Sequence, residues 1–157
     1  MRTALNPFDI KSALLARHAQ HVVLIHFPIA LLIIGVVFDF LALWKVFGRH
    51  SRDLAVAAYY NFTVAALSVV PAIVTGVLAW QLQLGGGSFK GTLRLHLVLA
   101  IVSCLLIWLV WWLHFQVRRS PERALPRYRL PIEILAVSLI ALTGHLGGFL
   151  SGVNGVN

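Results

Sequence analysis

Charge is what this sequence has least of. Of its 157 residues only 11% are Asp, Glu, Lys or Arg, and five of these are acidic. Soluble domains run nearer one quarter charged, so a water-soluble fold is excluded. Cysteine is almost absent as well, with Cys104 standing alone. A single thiol excludes an intrachain disulfide, a CxxCH haem attachment and a cysteine metal cluster. Met1 is the only methionine, so a copper transporter built on soft sulfur ligands is poorly supported. No HExxH or Ser-His-Asp grouping marks a hydrolase. The glycine-rich "GGGSFKG" at Gly85–Gly91 lacks the GxxxxGK[ST] spacing of a phosphate loop.

What fills the chain instead is apolar: 59% of residues are hydrophobic and the mean hydropathy is +0.86. Four runs, Val22–Trp44, Leu54–Leu82, Leu93–Phe115 and Leu130–Leu150, each reach the length of about 20 residues that a bilayer core requires. Lipid offers no hydrogen-bond partners, so backbone crossing it must be helical or closed into a barrel. The expected fold is all-α, a four-helix transmembrane bundle over residues 22–157 with a short N-terminal interfacial helix within residues 1–21. Asn6-Pro7 reads as the start of that short helix. Ile10, Ala13, Leu14 and Val22 then recur at helical spacing, as in a segment lying along the interface. The first apolar run starts after residue 20 and is too long for a signal-peptide core, so no cleavable leader is expected. Pro28 opens or kinks span one, and Pro71 with Gly76 predicts a bend in span two. Trp44, Tyr59, Tyr60, Trp80, Trp111, Trp112 and Tyr128 fall at span ends, where aromatic belts form. Gly85–Gly91 reads as a flexible turn.

The net charge of +8 does not imply nucleic acid, because the basic residues flank the spans. One face of the membrane, here the basic face, carries Lys45, Arg49, Arg52, Arg118, Arg119, Arg123, Arg127 and Arg129. The other, the terminal face, holds both chain ends and carries Arg2, Lys11, Arg17, Lys90 and Arg94. Eight against five places the basic face in the cytoplasm. The expectation is a multi-pass protein of the bacterial inner membrane with periplasmic termini. Its lipid contacts include anionic headgroups against the loop Arg118–Arg129.

Histidine is the residue that stands out. "HAQHVVLIHFPIALLIIG", His18–Gly35, places three imidazoles at the mouth of span one. His26, His96 and His145 each lie a few residues inside the terminal face, on spans one, three and four. At a rise of about 1.5 Å per residue they share one depth. His18 and His21 lie just outside. Facing helices of bundles use such imidazoles to hold metals and cofactors, and no carboxylate joins them at this depth. The set therefore suits b-type haem best, with zinc or copper second. Two of His26, His96 and His145 are the expected axial ligands, with His21 in reserve. Gly144, Gly147 and Gly148 surround His145 and would let a flat porphyrin approach, although small residues also serve helix packing. Near the basic face, His114 has only the loop residue His50 as a histidine partner, which weakly allows a second haem. Asp39 is expected to pair with a basic group there or to snorkel.

"HVVLIHFPIAL" at His21–Leu31, "TGVLAW" at Thr75–Trp80, the histidine opening span three and "TGHLGGFLSGVNGV" at Thr143–Val156 resemble the DUF2231 family of bacterial four-span membrane proteins. The resemblance covers the chain from about His18 onward. Members often read TGLLDW in span two, where this chain has Ala79, so a proton or metal role tied to that acid is not carried over. Some relatives neighbour Rieske-type or cytochrome c-type domains, which implies redox company. The function expected is a membrane subunit that binds one haem b near the outer face and passes electrons within a redox complex, with quinone as a further small-molecule partner. The alternative is a non-catalytic scaffold subunit without a cofactor. Either is an accessory subunit more than a stand-alone enzyme.

Overall fold

The computed structural model of the chain describes residues 17–83, 85–120 and 125–150. The expected interfacial helix before Arg17 and the end of the glycine-bearing tail from Ser151 lie outside the described residues. Four long helices follow one another: α1 Arg17–Ala42, α2 Ser51–Gln83, α3 Gly91–Arg119 and α4 Arg129–Leu150. All four are long and apolar enough to cross a membrane, and no strand occurs among the described residues. α1 is continuous from Arg17, so His18 and His21 belong to the same helix as His26. α1 packs on α2, α2 on α3, α3 on α4 and α4 back on α1. Short connections between successive helices give this up-and-down ring.

Burial follows the helical period along each helix. The buried residues are Pro28, Leu32, Gly35 and Asp39 in α1, then Ala58, Phe62, Ala65, Ala66 and Val69 in α2. Ser103, Ile107, Val110 and His114 follow in α3, and Arg129, Glu133, Ala136, Ile140 and Thr143 in α4. Steps of three and four residues keep one stripe of each helix facing its neighbours. Leu32, Phe62, Ile107, Val110 and Ile140 make the apolar middle of the bundle. Phe62 packs close against α1 only because position 35 is glycine: a Cβ there would sit 2.6 Å from its Cε1. The outer surface is apolar too, with Leu67 67% and Leu105 58% exposed. Water would not tolerate so continuous an apolar surface, and lipid does.

The connections are built as well. α1 closes with Leu43 N donating to Phe40 O and Trp44 N to Leu41 O, both 3.1 Å. A 3-10 turn, Lys45–His50, then carries the chain into α2 with Gly48 at φ 41°. Between α2 and α3 the expected flexible turn is tied to the bundle. Trp80 Nε1 donates to Gly87 O at 3.0 Å, Gly86 N donates to Trp80 O at 3.2 Å, and the Trp80 and Phe89 rings stack at 4.8 Å. Gly85 and Gly86 both have positive φ, a conformation that favours glycine.

Candidate functional site

The bundle core is polar at both ends. At the terminal end the residues are imidazoles. His96, in the second turn of α3, has its Nδ1 3.1 Å from the carbonyl oxygen of Thr143 on α4. A carbonyl only accepts, so Nδ1 carries the proton and Nε2 keeps the lone pair. His21 on α1 has its Nδ1 3.1 Å from Thr75 Oγ1 on α2. The Thr75 hydroxyl already donates to the carbonyls of Pro71 and Ala72, at 2.9 and 3.1 Å. With its proton on one of these carbonyls, its oxygen accepts from His21 Nδ1, an arrangement that gives the same tautomer. Both rings are half-buried, and they lie within electrostatic reach of each other.

Each ring is seated on a glycine of a neighbouring helix. A Cβ at Gly76 would come within 3.1 Å of His21 Cε1, and one at Gly147 within 3.2 Å of His96 Cε1. Gly76 thus serves the packing of an imidazole, where the sequence had suggested a bend. Gly144 faces Ile29, and Gly148 is half-buried in α4. Thr143 also ties α3 to α4 through its hydroxyl, which donates to Leu139 O and lies 3.2 Å from Ser103 Oγ.

His21 and His96 are half-buried at the same end of the bundle, while His26 and His145 lie on exposed faces. His26 Nδ1 turns back to the carbonyl of Val22 on its own helix, and His145 meets Phe149 edge-on. The reason is angular. Successive residues turn by about 100° on a helix, so neighbours two apart point in nearly opposite directions. His26 is two residues from buried Pro28 and His145 two from buried Thr143, whereas His21 and His96 are seven from buried Pro28 and Ser103. Seven residues is two turns, which keeps the inward face.

The other end holds a cluster that histidine depth alone did not reveal. Arg129 Nε donates to Asp39 Oδ2 at 2.8 Å, joining α4 to α1. One turn into α4, Glu133 Oε1 is 3.0 Å from His114 Nε2, joining α4 to α3. Asp39, His114, Arg129 and Glu133 are all buried, with Glu133 at 0% exposure. Phe62 of α2 closes over His114, with ring centroids 4.7 Å apart. One ligand atom each of Asp39, His114 and Glu133 lie within 4.8 Å of one another. Asp39 therefore does pair with a basic group, as expected. The partner of His114 is a carboxylate, while His50 is exposed beside Asp53. Arg129 and Glu133 were legible as an i, i+4 pair of opposite charge at a span mouth, and i+4 spacing puts both on one face.

These features define a class: a four-span, up-and-down membrane bundle whose core is apolar in the middle and polar at each end. The chain belongs to the family described as a predicted membrane protein (DUF2231), whose profile matches residues 17–157. No curated protein sequence and no solved structure matches the chain.

Proposed function

We propose that the chain is a metal-binding subunit of the bacterial inner membrane that holds one b-type haem on His21 and His96 and passes electrons to partner subunits. The observation that carries this reading is the like anchoring of the two imidazoles, each through its Nδ1 to a threonine of a neighbouring helix. Each Nδ1 is engaged, by a threonine hydroxyl or a threonine carbonyl, which directs Nε2 as the ligating nitrogen. Protein metal sites hold their histidines in the same way, with the second nitrogen fixed by a hydrogen bond. An all-imidazole pair among apolar helices suits haem iron, with zinc or copper second. His21 and His96 would supply the axial bonds, and Thr75, Thr143, Gly76 and Gly147 would hold the rings in position. The count of basic residues supports an outer-side position for this end.

The test is the visible spectrum of the purified, detergent-solubilised protein, oxidised and dithionite-reduced, with an elemental assay on the same sample. A reduced b-type α-band lost in His21→Ala and His96→Ala, and kept in His26→Ala and His145→Ala, is the expected outcome. Stoichiometric zinc or copper without that band would keep the ligand pair and change the metal. A metal-free, featureless sample after haem supplementation would leave a scaffold subunit, in which the same imidazoles only join helices.

A further inference from the structure

We propose that His114 and Glu133 form a buried proton-binding site in the half of the bundle next to the basic face, loaded with one proton at neutral pH. The argument begins with the charges. Asp39 and Arg129 form an ion pair at 2.8 Å, and with both ionised they cancel. Beside them Glu133 and His114 form a second pair at 3.0 Å. An ionised Glu133 next to a neutral His114 would leave one net negative charge among groups with almost no access to water. Burying an uncompensated charge is strongly unfavourable. One added proton makes the cluster neutral, whether it resides on the carboxyl or on the imidazole. A divalent cation on Asp39, His114 and Glu133 would overshoot to a net positive charge beside the Arg129 guanidinium.

The hydrogen bonds agree with this count. Glu133 Oε2 is buried and has no hydrogen-bond partner among the described residues. Left as a carboxylate without a counter-charge, that oxygen would carry half of an anion with nothing to solvate it. As part of a neutral carboxyl, or of an ion pair with protonated His114, it is far less costly. The groups that act on Glu133 come from every side of the site. Asp39 faces it from α1, His114 from α3 and Arg129 from its own helix, while α2 contributes the Phe62 ring against His114. Among the described residues no second full positive charge acts on Glu133, so the balancing charge is one the site acquires.

The position suits exchange with water. Glu133 is four residues from the start of α4, Asp39 three from the end of α1 and His114 five from the end of α3. At a rise of about 1.5 Å per residue the pair lies within roughly 8 Å of the helix ends on the basic face. Loss of the proton changes the charge held between α1, α3 and α4, so proton release is coupled to how those helices pack.

The experiment is nuclear magnetic resonance of the full chain in lipid nanodiscs at pH 7, with 13C-carboxyl glutamate and 15N-histidine. The chain has two glutamates, Glu122 and Glu133, and Glu133→Gln assigns the buried one. The expected result is either a protonated Glu133 carboxyl or an imidazolium at His114. The His114 nitrogen signals are expected to shift in Glu133→Gln. An ionised Glu133 beside a neutral His114 in the wild-type protein would overturn the proposal. So would one equivalent of tightly bound divalent metal that disappears in Glu133→Gln. Should that variant fail to fold, the wild-type signals assigned through His114→Gln decide the matter alone.

Discussion

Asp39 and Arg129 stabilise each other because each, without the other, would be an uncompensated buried charge. Removing one partner of a buried pair strands the other, at a cost of about 3–5 kcal/mol. Arg129→Ala is expected to lower stability by this amount, read as thermal or denaturant unfolding in detergent. Asp39→Ala leaves Arg129 beside Glu133, which can balance its charge, and is expected to cost less. The double variant Asp39→Leu/Arg129→Met strands nothing and is expected to recover most of the loss, because apolar residues of similar volume often replace a buried ion pair without penalty. A loss in the double equal to the sum of the two singles would mean that the pair carries no coupling. Gly35 poses the opposite problem, too little room. A Cβ 2.6 Å from Phe62 Cε1 and 2.8 Å from its Cδ1 forces overpacking, so Gly35→Ala should cost about 1–3 kcal/mol. Phe62→Leu in the same chain should restore part of it.

At the level of the helices, the sequence showed how deep each residue sits, and the structure adds the direction in which it points. The four spans were legible because hydrophobic length is read directly from composition; Leu130–Leu150 differs from the observed α4 by a single residue at its start. Which histidines face inward needed the angular step as well, counted from residues whose burial was not yet known. Pro28 and Ser103 supply that reference in α1 and α3, and from them His21 and His96 fall on the inward stripe. The Asp39–Arg129 pair was harder to read, since it joins residues 90 positions apart and no local pattern encodes it. The turn between α2 and α3 carries an anchor that its glycine content alone does not announce. Trp80 holds that turn through one hydrogen bond and one ring stack. Trp80→Leu removes both, so trypsin is expected to cut after Lys90 several-fold faster while the helical circular dichroism is unchanged. Unaltered cleavage would show that the positive-φ glycines fix the turn by themselves.

For the molecule as a whole, the distribution of basic residues carries the expectation of which end meets which compartment. With eight Lys and Arg on the basic face and five on the terminal face, the bias favours a cytoplasmic basic face. The expected arrangement has the imidazole pair towards the outside and the His114–Glu133 pair towards the cytoplasm. Single cysteines introduced into a Cys104→Ser background report this directly in intact cells. A cysteine at Ser88 in the α2–α3 turn should react with a membrane-impermeant maleimide. One at Arg127, before α4, should react only after the membrane is permeabilised. Because the margin is small, the orientation should also be fragile. Neutralising Arg118, Arg119, Arg123 and Arg127 together leaves four basic residues against five and reverses the bias. Arg129 stays, since its guanidinium is committed to Asp39 in the core. The expected outcome is a mixed population in which both cysteine positions label partially from outside. A single orientation kept through all four substitutions would mean that the placement of the buried charges, more than the surface count, governs how this bundle inserts.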